Sequence, residues 1–367
     1  MKNKKLTEIC SPKQWKTIAQ TEMLDSGYPV YGANGIIGYY DKYNHENPTV
    51  LITCRGATCG SLNISKPYSY INGNAMALDN VIDEVDEKYL YYFLKDRGFK
   101  DVISGSAQPQ ITIQNLMKVI VSYPNIEQQR KIVSMLDNAD EIRTKKRLAN
   151  DKLDEFLKST FISMFGDPVK NDKEFECKLF VDVCLNIFGG GTPSKTHPEY
   201  YIGNIPWVTP KDMKSLVIKD SIDHINDNAI ANSSAKLIPA NSILMVIRSG
   251  ILKHTLPVAI NKVDVTVNQD MKAFILNEKL ANPLYILYQI RLIEKSILKN
   301  VRSVTADNIE FNLIKNLKLV MPSIEEQNKF AQIVEKVEAQ KQKNEQVIEQ
   351  MDNLFNSLFQ NTFKGLL

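Results

Sequence analysis

Two short stretches of the chain have residue types that elsewhere carry chemistry. Gly189-Gly190-Gly191-Thr192-Pro193-Ser194-Lys195-Thr196 imitates a loop whose backbone N–H groups cradle phosphates while a lysine reaches them. Ser194 stands where that loop needs its second glycine, and Pro193 removes one of the N–H groups, so nucleotide binding is not expected. Asn282-Pro283-Leu284-Tyr285 imitates the loop with which adenine methyltransferases hold a flipped base. The same residues suit the start of a helix, with Asn as N-cap and Pro in the first turn. A methyltransferase would also need a Gly-rich strand-to-helix turn for S-adenosylmethionine, and Phe188-Gly189-Gly190-Gly191 runs instead into Thr-Pro. No paired carboxylates, Ser/His/Asp set or nuclease-like cluster stands at suggestive spacing. The reading is a non-catalytic chain, with a self-contained N6-adenine methyltransferase using Asn282–Tyr285 as the alternative.

Five cysteines (Cys10, Cys54, Cys59, Cys177, Cys184) and four scattered histidines (His45, His197, His224, His254) show no metal-ligand spacing. Reduced thiols are expected, with no zinc site and no disulfide framework.

What remains is a set of side chains that read base edges or hold phosphates. In the first part of the chain these are Tyr31, Asn34, Tyr39, Lys42, Arg55, Thr58, Ser106, Gln108 and Gln110. In the second they are Thr192, Ser194, Lys195, Lys211, Arg248, Ser249, Lys253, His254, Arg302 and Thr305. For any one of them a solvated loop position is the competing reading. Arg55 and Arg248 align with each other and are the foremost candidates for DNA contact, by phosphate pairing or bidentate guanine reading, with a structural salt bridge as the competing role. The run Arg143-Thr144-Lys145-Lys146-Arg147 reads as a solvated helix face, or else a phosphate contact.

The elements that must position these residues are written twice. Tyr123-Pro124-Asn125-Ile126-Glu127-Gln128-Gln129 returns as Met321-Pro322-Ser323-Ile324-Glu325-Glu326-Gln327, 198 residues later counted from Pro124 to Pro322, and the offset holds without gaps to Phe165 and Phe363. Residues 1–124 and 167–322 are punctuated by Gly, Pro and Asn and contain short apolar runs, such as Thr49–Thr53 and Ser242–Ile247, with helices expected at Glu87–Phe99 and Pro283–Leu298. Segments 125–166 and 323–367 read as long helices, each spanning roughly 60 Å at ~1.5 Å per residue. The expected fold is therefore α+β: two tandem, mainly β domains with helices, each followed by a long helix, the two long helices forming an antiparallel coiled coil.

A three-four alternation through the first helix selects Ile132, Met135, Ala139, Ile142, Lys146, Ala149, Leu153, Phe156 and Thr160 as its seam. The equivalent seam in the second is Phe330, Ile333, Val337, Gln340, Asn344, Val347, Met351, Leu354 and Leu358. Lys146 and Asn344 are equivalent polar positions, fit either to fix register or to face solvent.

With 43% apolar and 24% charged residues and a net charge of +3, the composition is that of a globular protein for which nucleic-acid binding is permitted but not demanded. No apolar run suggests a membrane span or signal peptide, so a cytoplasmic location is the default expectation.

The ordered pattern resembles the specificity subunit of type I restriction-modification systems. It does so through Tyr28-Pro29-Val30-Tyr31-Gly32-Ala33-Asn34-Gly35, Gly190-Gly191-Thr192-Pro193-Ser194 with Ile205-Pro206-Trp207-Val208, and the Pro-x-x-Glu-Gln-type starts of both long helices. The resemblance implies two target-recognition domains that each read half of a split, non-palindromic sequence in double-stranded DNA, held apart by antiparallel helices. It implies no catalysis by this chain, docking of two modification subunits that carry the adenine methyltransferase chemistry, and in the full complex two restriction subunits. S-adenosylmethionine, ATP and Mg would then sit on those partners. The residues that duplicate where the reading surfaces diverge, Ile126, Glu127, Gln129, Ile324, Glu325 and Gln327, become the expected partner interface, with capping of the helix starts as the competing explanation. A coiled-coil adaptor without DNA specificity is a third reading.

Overall fold

The computed structural model describes residues 1–105, 108–299, 302–303 and 307–363, with 302, 303, 307 and 359–363 described by backbone alone. The chain forms two units, Met1–Arg147 with Glu345–Leu367, and Leu148–Asn344. They do not follow the sequence segments. Each long helix, Ile126–Phe165 and Ile324–Phe363, gives one half to each unit, because each half buries its apolar face in the core beside it.

In the first unit an antiparallel sheet orders Ser11–Gln14, Ala75–Asp79, Val50–Thr53 and Leu62–Ile64. A second sheet sets the hairpin Tyr28–Gly32 and Gly35–Tyr40 beside Tyr70–Ile71. Lys2–Lys5 pairs with Ile120–Tyr123, tying the two ends of the β-rich segment together. The helix Glu87–Arg97 starts on Asp86, whose carboxylate accepts from the Tyr89 N–H, and it buries Tyr89, Leu90 and Leu94 against Ile52, Met76 and Leu78. Ile132, Val133 and Leu136 from the first long helix and Phe355 from the second complete this core.

The second unit has a five-stranded sheet ordered Cys184–Gly189, Met271–Leu276, Ile243–Val246, Val258–Asn261, Val217–Ile218, and a three-stranded one ordered His224–Ile225, Ile205–Val208, Thr266–Val267. Ile243–Val246 is buried at every residue, which is why it reads as an unbroken apolar run rather than an alternation. Cys177–Leu179 pairs with Lys318–Val320, the counterpart of the terminal pairing in the first unit. Phe161 stacks on Tyr285 with ring centroids 5.3 Å apart and meets Phe330 edge-on, also at 5.3 Å, so helix halves and domain share one aromatic core. Such pairs contribute about 0.5–1.5 kcal/mol each beyond their burial.

The joint between domain and long helix is the same in both units. Gln129 accepts from the Asp86 N–H at 2.9 Å and donates to the carbonyls of Glu84 and Pro124 at 2.8 and 2.9 Å. Gln327 accepts from the Asn282 N–H at 2.9 Å and donates to Leu280 and Pro322 at 3.1 and 2.9 Å. Both side chains belong to residues with 0% exposure, so Gln129 and Gln327 are structural joints rather than the partner contacts expected from sequence. Of that expected interface, Glu127 and Glu325 are exposed, and Ile126 and Ile324 half-buried.

The seam needs a correction of phase. Met135, Ile142, Phe156 and Leu354 are 43%, 40%, 50% and 44% exposed, while Leu136, Leu157 and Phe355 beside three of them are buried. The buried positions follow a four-three alternation, 132, 136, 139, 143, 146, 150, 153 and 157, and the same set plus 198 serves the second helix. Ile132, Leu153, Phe330, Ile333, Val337, Val347, Met351 and Leu358 do lie buried or half-buried. The phase was hidden because Arg143, Lys146 and Asn150 in the first helix and Lys341 and Asn344 in the second are polar. In the first unit Arg143 donates to Asp352 at 2.7 Å and lies over the Phe355 ring. In the second unit Asn344, 2% exposed, donates to Asn150 at 2.7 Å. There Lys341 also donates to Asp154 at 2.9 Å, so the partner number falls from 344 to 341 as the first rises from 150 to 154, and these halves run antiparallel. Arg143–Asp352 and Lys341–Asp154 are one ion pair in repeat terms, with the helices exchanged. Arg143 is thus a seam residue, not part of a solvated face.

Replacing Gln129 or Gln327 with Ala strands one N–H and two carbonyls in the core, at about 1–3 kcal/mol per buried unpaired group. Each variant is expected to lose about 2–4 kcal/mol in urea unfolding, while Glu127→Ala stays within about 0.5 kcal/mol.

Candidate nucleic-acid interface

In the first unit three loops converge. The hairpin turn at Ala33–Asn34 meets the loop after Val50–Thr53 through Thr58, whose hydroxyl donates to Asn34 Oδ1 at 2.6 Å, and through the Thr53 hydroxyl, which donates to the Ala33 carbonyl. Arg55 forms a β-bridge with Gln110, and the Gly56 N–H donates to the Pro109 carbonyl at 3.1 Å, which brings in the third loop. Gly56 sits at φ +91°, a conformation that favours glycine and turns the chain sharply after Arg55. Asn34, Arg55, Thr58 and Gln110 are thereby exposed in one cluster, with Gln108 on the same loop as Gln110. Among the described residues no side chain pairs with the Arg55 guanidinium.

Tyr39 and Lys42 lie at the other end of the hairpin from that turn. Tyr31 is 6% exposed with its hydroxyl accepting from the Lys66 N–H at 3.1 Å, so it is a core residue and not a reader. Sequence reasoning passed over the exposed Tyr43 and Tyr68, which form an edge-to-face series with Tyr28, with centroids 4.9 and 5.3 Å apart. Ser106 lies outside the described residues.

In the second unit the glycine run is structural. The Gly190 and Gly191 N–H groups donate to the Met271 and Val267 carbonyls at 3.3 and 2.9 Å, leaving neither to hold a phosphate. A Cβ on Gly190 would stand 1.7 Å from the Asn268 carbonyl oxygen, so only glycine permits this approach. The turn carries Thr192 to Gln269, with which it hydrogen-bonds, and positions Lys195 on the rim of a cavity of about 650 Å³. Lys211, Tyr201, Trp207, Asn268, Gln269 and Asp270 also line it. Trp207 is fixed by donation to the Gly191 carbonyl at 3.0 Å, and the Tyr201 hydroxyl donates to Pro193 at 2.7 Å. The cavity combines two ammonium groups, two aromatic rings, the amides of Asn268 and Gln269, and the carboxylates of Asp223 and Asp270.

Arg248 stands on the adjoining rim, its Nε donating to Asp270 Oδ1 at 2.6 Å. Ser194 bonds within its own turn to Thr196 at 2.7 Å, and Ser249 caps the short turn Gly250–Lys253, with Lys253 and His254 exposed at its end. Thr305 and the side chain of Arg302 lie outside the described residues. The unforeseen residues here are Asn268, Gln269 and Asp270, whose signal was a polar triplet between the apolar runs Thr266–Val267 and Met271–Leu276.

Asn282-Pro283-Leu284-Tyr285 has no catalytic geometry. Asn282 Oδ1 accepts from the N–H groups of Leu284 and Tyr285, its amide donates to Asn328, and Pro283 opens the helix Pro283–Leu298. Tyr285 is 0% exposed, its hydroxyl donates to Val320 at 2.7 Å, and burial pushes its ionisation far above the usual phenol range. The thiols of Cys10 and Cys184 are pushed up to about 12 by burial, those of Cys54 and Cys59 are raised, and among the described residues no group of metal-ligating side chains converges. No helix among the described residues is long and apolar enough to cross a membrane.

One helical framework is used twice, each time beside a different polar loop surface. A family model for the type I restriction modification DNA specificity domain matches residues 1–152 and 173–351, and the chain belongs to that family. The Escherichia coli type I restriction enzyme EcoR124I/EcoR124II specificity subunit is 31% identical over 265 residues, 68% of this chain and 62% of that subunit, so the match spans less than two thirds of the relative. The MjaIX specificity subunit of Methanocaldococcus jannaschii is 28% identical over 313 residues, covering 78% of this chain and 70% of that one. The fold is shared with the S subunit of a type I system from M. genitalium, at TM-score 0.67 and 15% identity over 99% of this chain and 96% of that one. A chain from a study of the assembly and conformational transition of the type I R-M system aligns at TM-score 0.54 and 15% identity, over 100% and 98% of the two chains.

Tyr285→Phe removes two buried hydrogen bonds, the donation to the Val320 carbonyl and the acceptance from Gln289 Nε2. It is expected to cost about 1–2 kcal/mol of stability in urea unfolding.

Proposed function

We propose that this chain is the non-catalytic sequence reader of a type I complex, its first unit reading one half of a split, non-palindromic DNA site and its second unit the other. The observation that carries this is the contrast between joint and loops. The Gln129 and Gln327 networks match bond for bond, whereas the equivalent Arg55 and Arg248 stand among unlike polar groups, Asn34, Thr58 and Gln110 in the first unit and Thr192, Lys195, Lys211 and Asp270 in the second. A scaffold kept constant under surfaces that differ is what reading two different sequences requires.

Two modification subunits, carrying S-adenosylmethionine, would dock on features present in both units, and restriction subunits using ATP and Mg would join through them. The outward apolar residues of the long helices suit such docking: Met135, Ile142 and Leu354 in the first unit, and Leu148, Phe156 and Ile162 in the second. Apolar side chains this exposed, on helices whose seam is already filled, are suited to burial by a partner. Ile126, Glu127, Ile324 and Glu325 would border them.

The test is methylation of a random-sequence duplex library by this chain with its cognate modification subunit, mapped strand by strand. A single split motif, methylated only when both proteins are present, is expected. Methylation by this chain alone would overturn the reading. Arg55→Ala is expected to weaken binding evenly across sequences and to lower the slope of log affinity against log salt by about one, as for one lost phosphate contact. Met135→Glu with Phe156→Glu should lower modification-subunit binding by more than about tenfold with an unchanged melting curve, since both positions are solvent-facing.

A further inference from the structure

From the ion pair at the edge of the second unit we infer that Arg248 reads a guanine and that Asp270 is its positioning residue; this rests on the second unit being a DNA reader. Asp270 holds Arg248 twice. Its carbonyl accepts from the N–H groups of Ile247 and Arg248 at 2.8 and 3.2 Å, and its Oδ1 accepts from Arg248 Nε at 2.6 Å. The carboxylate is itself held, since Oδ2 accepts from Asn268 Nδ2 at 3.2 Å and Gln269 Nε2 at 3.4 Å, and Asn268 Oδ1 accepts from the Asp270 N–H at 3.1 Å. The Arg248 side chain is 50% exposed against 23% for Asp270. Because Nε alone is taken, the two terminal nitrogens face outward as a fork, unpaired among the described residues.

A half-exposed ion pair adds little to folding. What this one does is fix the plane of a guanidinium, and a planar fork with two free N–H groups is the complement of guanine O6 and N7. The first unit supplies the contrast. Thr53 pairs with Ala75 as Val246 pairs with Met271, so Arg55 corresponds to Arg248 and Asn74 to Asp270. The Cys54 N–H donates to the Asn74 carbonyl as that of Ile247 does to Asp270, but the first unit has an amide where the second has the carboxylate. Arg55 therefore has, among the described residues, no carboxylate to fix the plane of its guanidinium and is suited to phosphate, and Arg248 is an oriented reader.

The test uses the complex of the full chain with its modification subunit and the same library, for wild type, Arg248→Ala, Arg248→Lys and Asp270→Asn. All three variants are expected to relax one G·C requirement in one half of the motif by roughly 5- to 150-fold, the discrimination a bidentate pair provides, with every other position unchanged. Lysine keeps the charge but not the fork. Full specificity in Arg248→Lys, together with an even loss in Arg248→Ala and tighter binding to all DNA in Asp270→Asn, would overturn the assignment in favour of a phosphate contact. If Arg248→Ala erases a whole half-site through misfolding, Arg248→Lys decides: relaxation at one pair supports guanine reading, and an unchanged motif overturns it. A wild-type complex that methylates without any split motif would overturn the reader role itself.

Discussion

A buried carboxamide with three hydrogen-bond partners cannot shift without leaving backbone groups unpaired in a dry core, and this protein places one at each junction of domain and long helix. Gln129 and Gln327 each join the start of a domain helix, the turn before it and the first turn of a long helix. Because the amide fixes both ends at once, the direction in which a long helix leaves its domain is set locally, in both units by the same bonds. The ion pairs and the aromatic core then hold helices whose course is already determined.

Much of this architecture was legible in the sequence, for physical reasons that differ by element. The helix Pro283–Leu298 could be placed to the residue because an Asn N-cap and a first-turn Pro mark its start, and the buried strands Val50–Thr53 and Ile243–Val246 stand out as unbroken apolar runs. The seam misled because periodicity arguments count apolar residues, and here Arg143, Lys341, Asn150 and Asn344 hold places on the buried face. Met135, Ile142 and Phe156, each one residue before a buried or half-buried position, are apolar though exposed and drew the pattern about a quarter of a turn aside. Gln129 and Gln327 were misread in the same way: duplication identified them as important, but residue type alone does not separate a buried joint from a binding surface.

The candidate reading surfaces were legible in type and not in arrangement. Asn34, Thr58, Arg55 and Gln110 are far apart in sequence and meet only because a hairpin turn and two loops close on one another. Tyr31 shares its residue type with the exposed tyrosines around it, and only its position on the inward face of the hairpin makes it core. Asp270 escaped notice because an acid is not sought among groups that meet a polyanion, yet an arginine needs a counter-charge to be held in one orientation.

The discontinuity of the first unit has a consequence for how the protein is made. Leu148–Asn344 is contiguous and can close as soon as it leaves the ribosome, whereas Met1–Arg147 must wait for Glu345–Leu367 to supply Asp352 and Phe355. At ~5–20 residues synthesised per second, the 197 residues of Leu148–Asn344 keep it waiting for roughly 10 to 40 seconds. The half of the chain born first is thus the half that finishes last, and through that interval Leu136 and Ala139 stand without the helix that covers them.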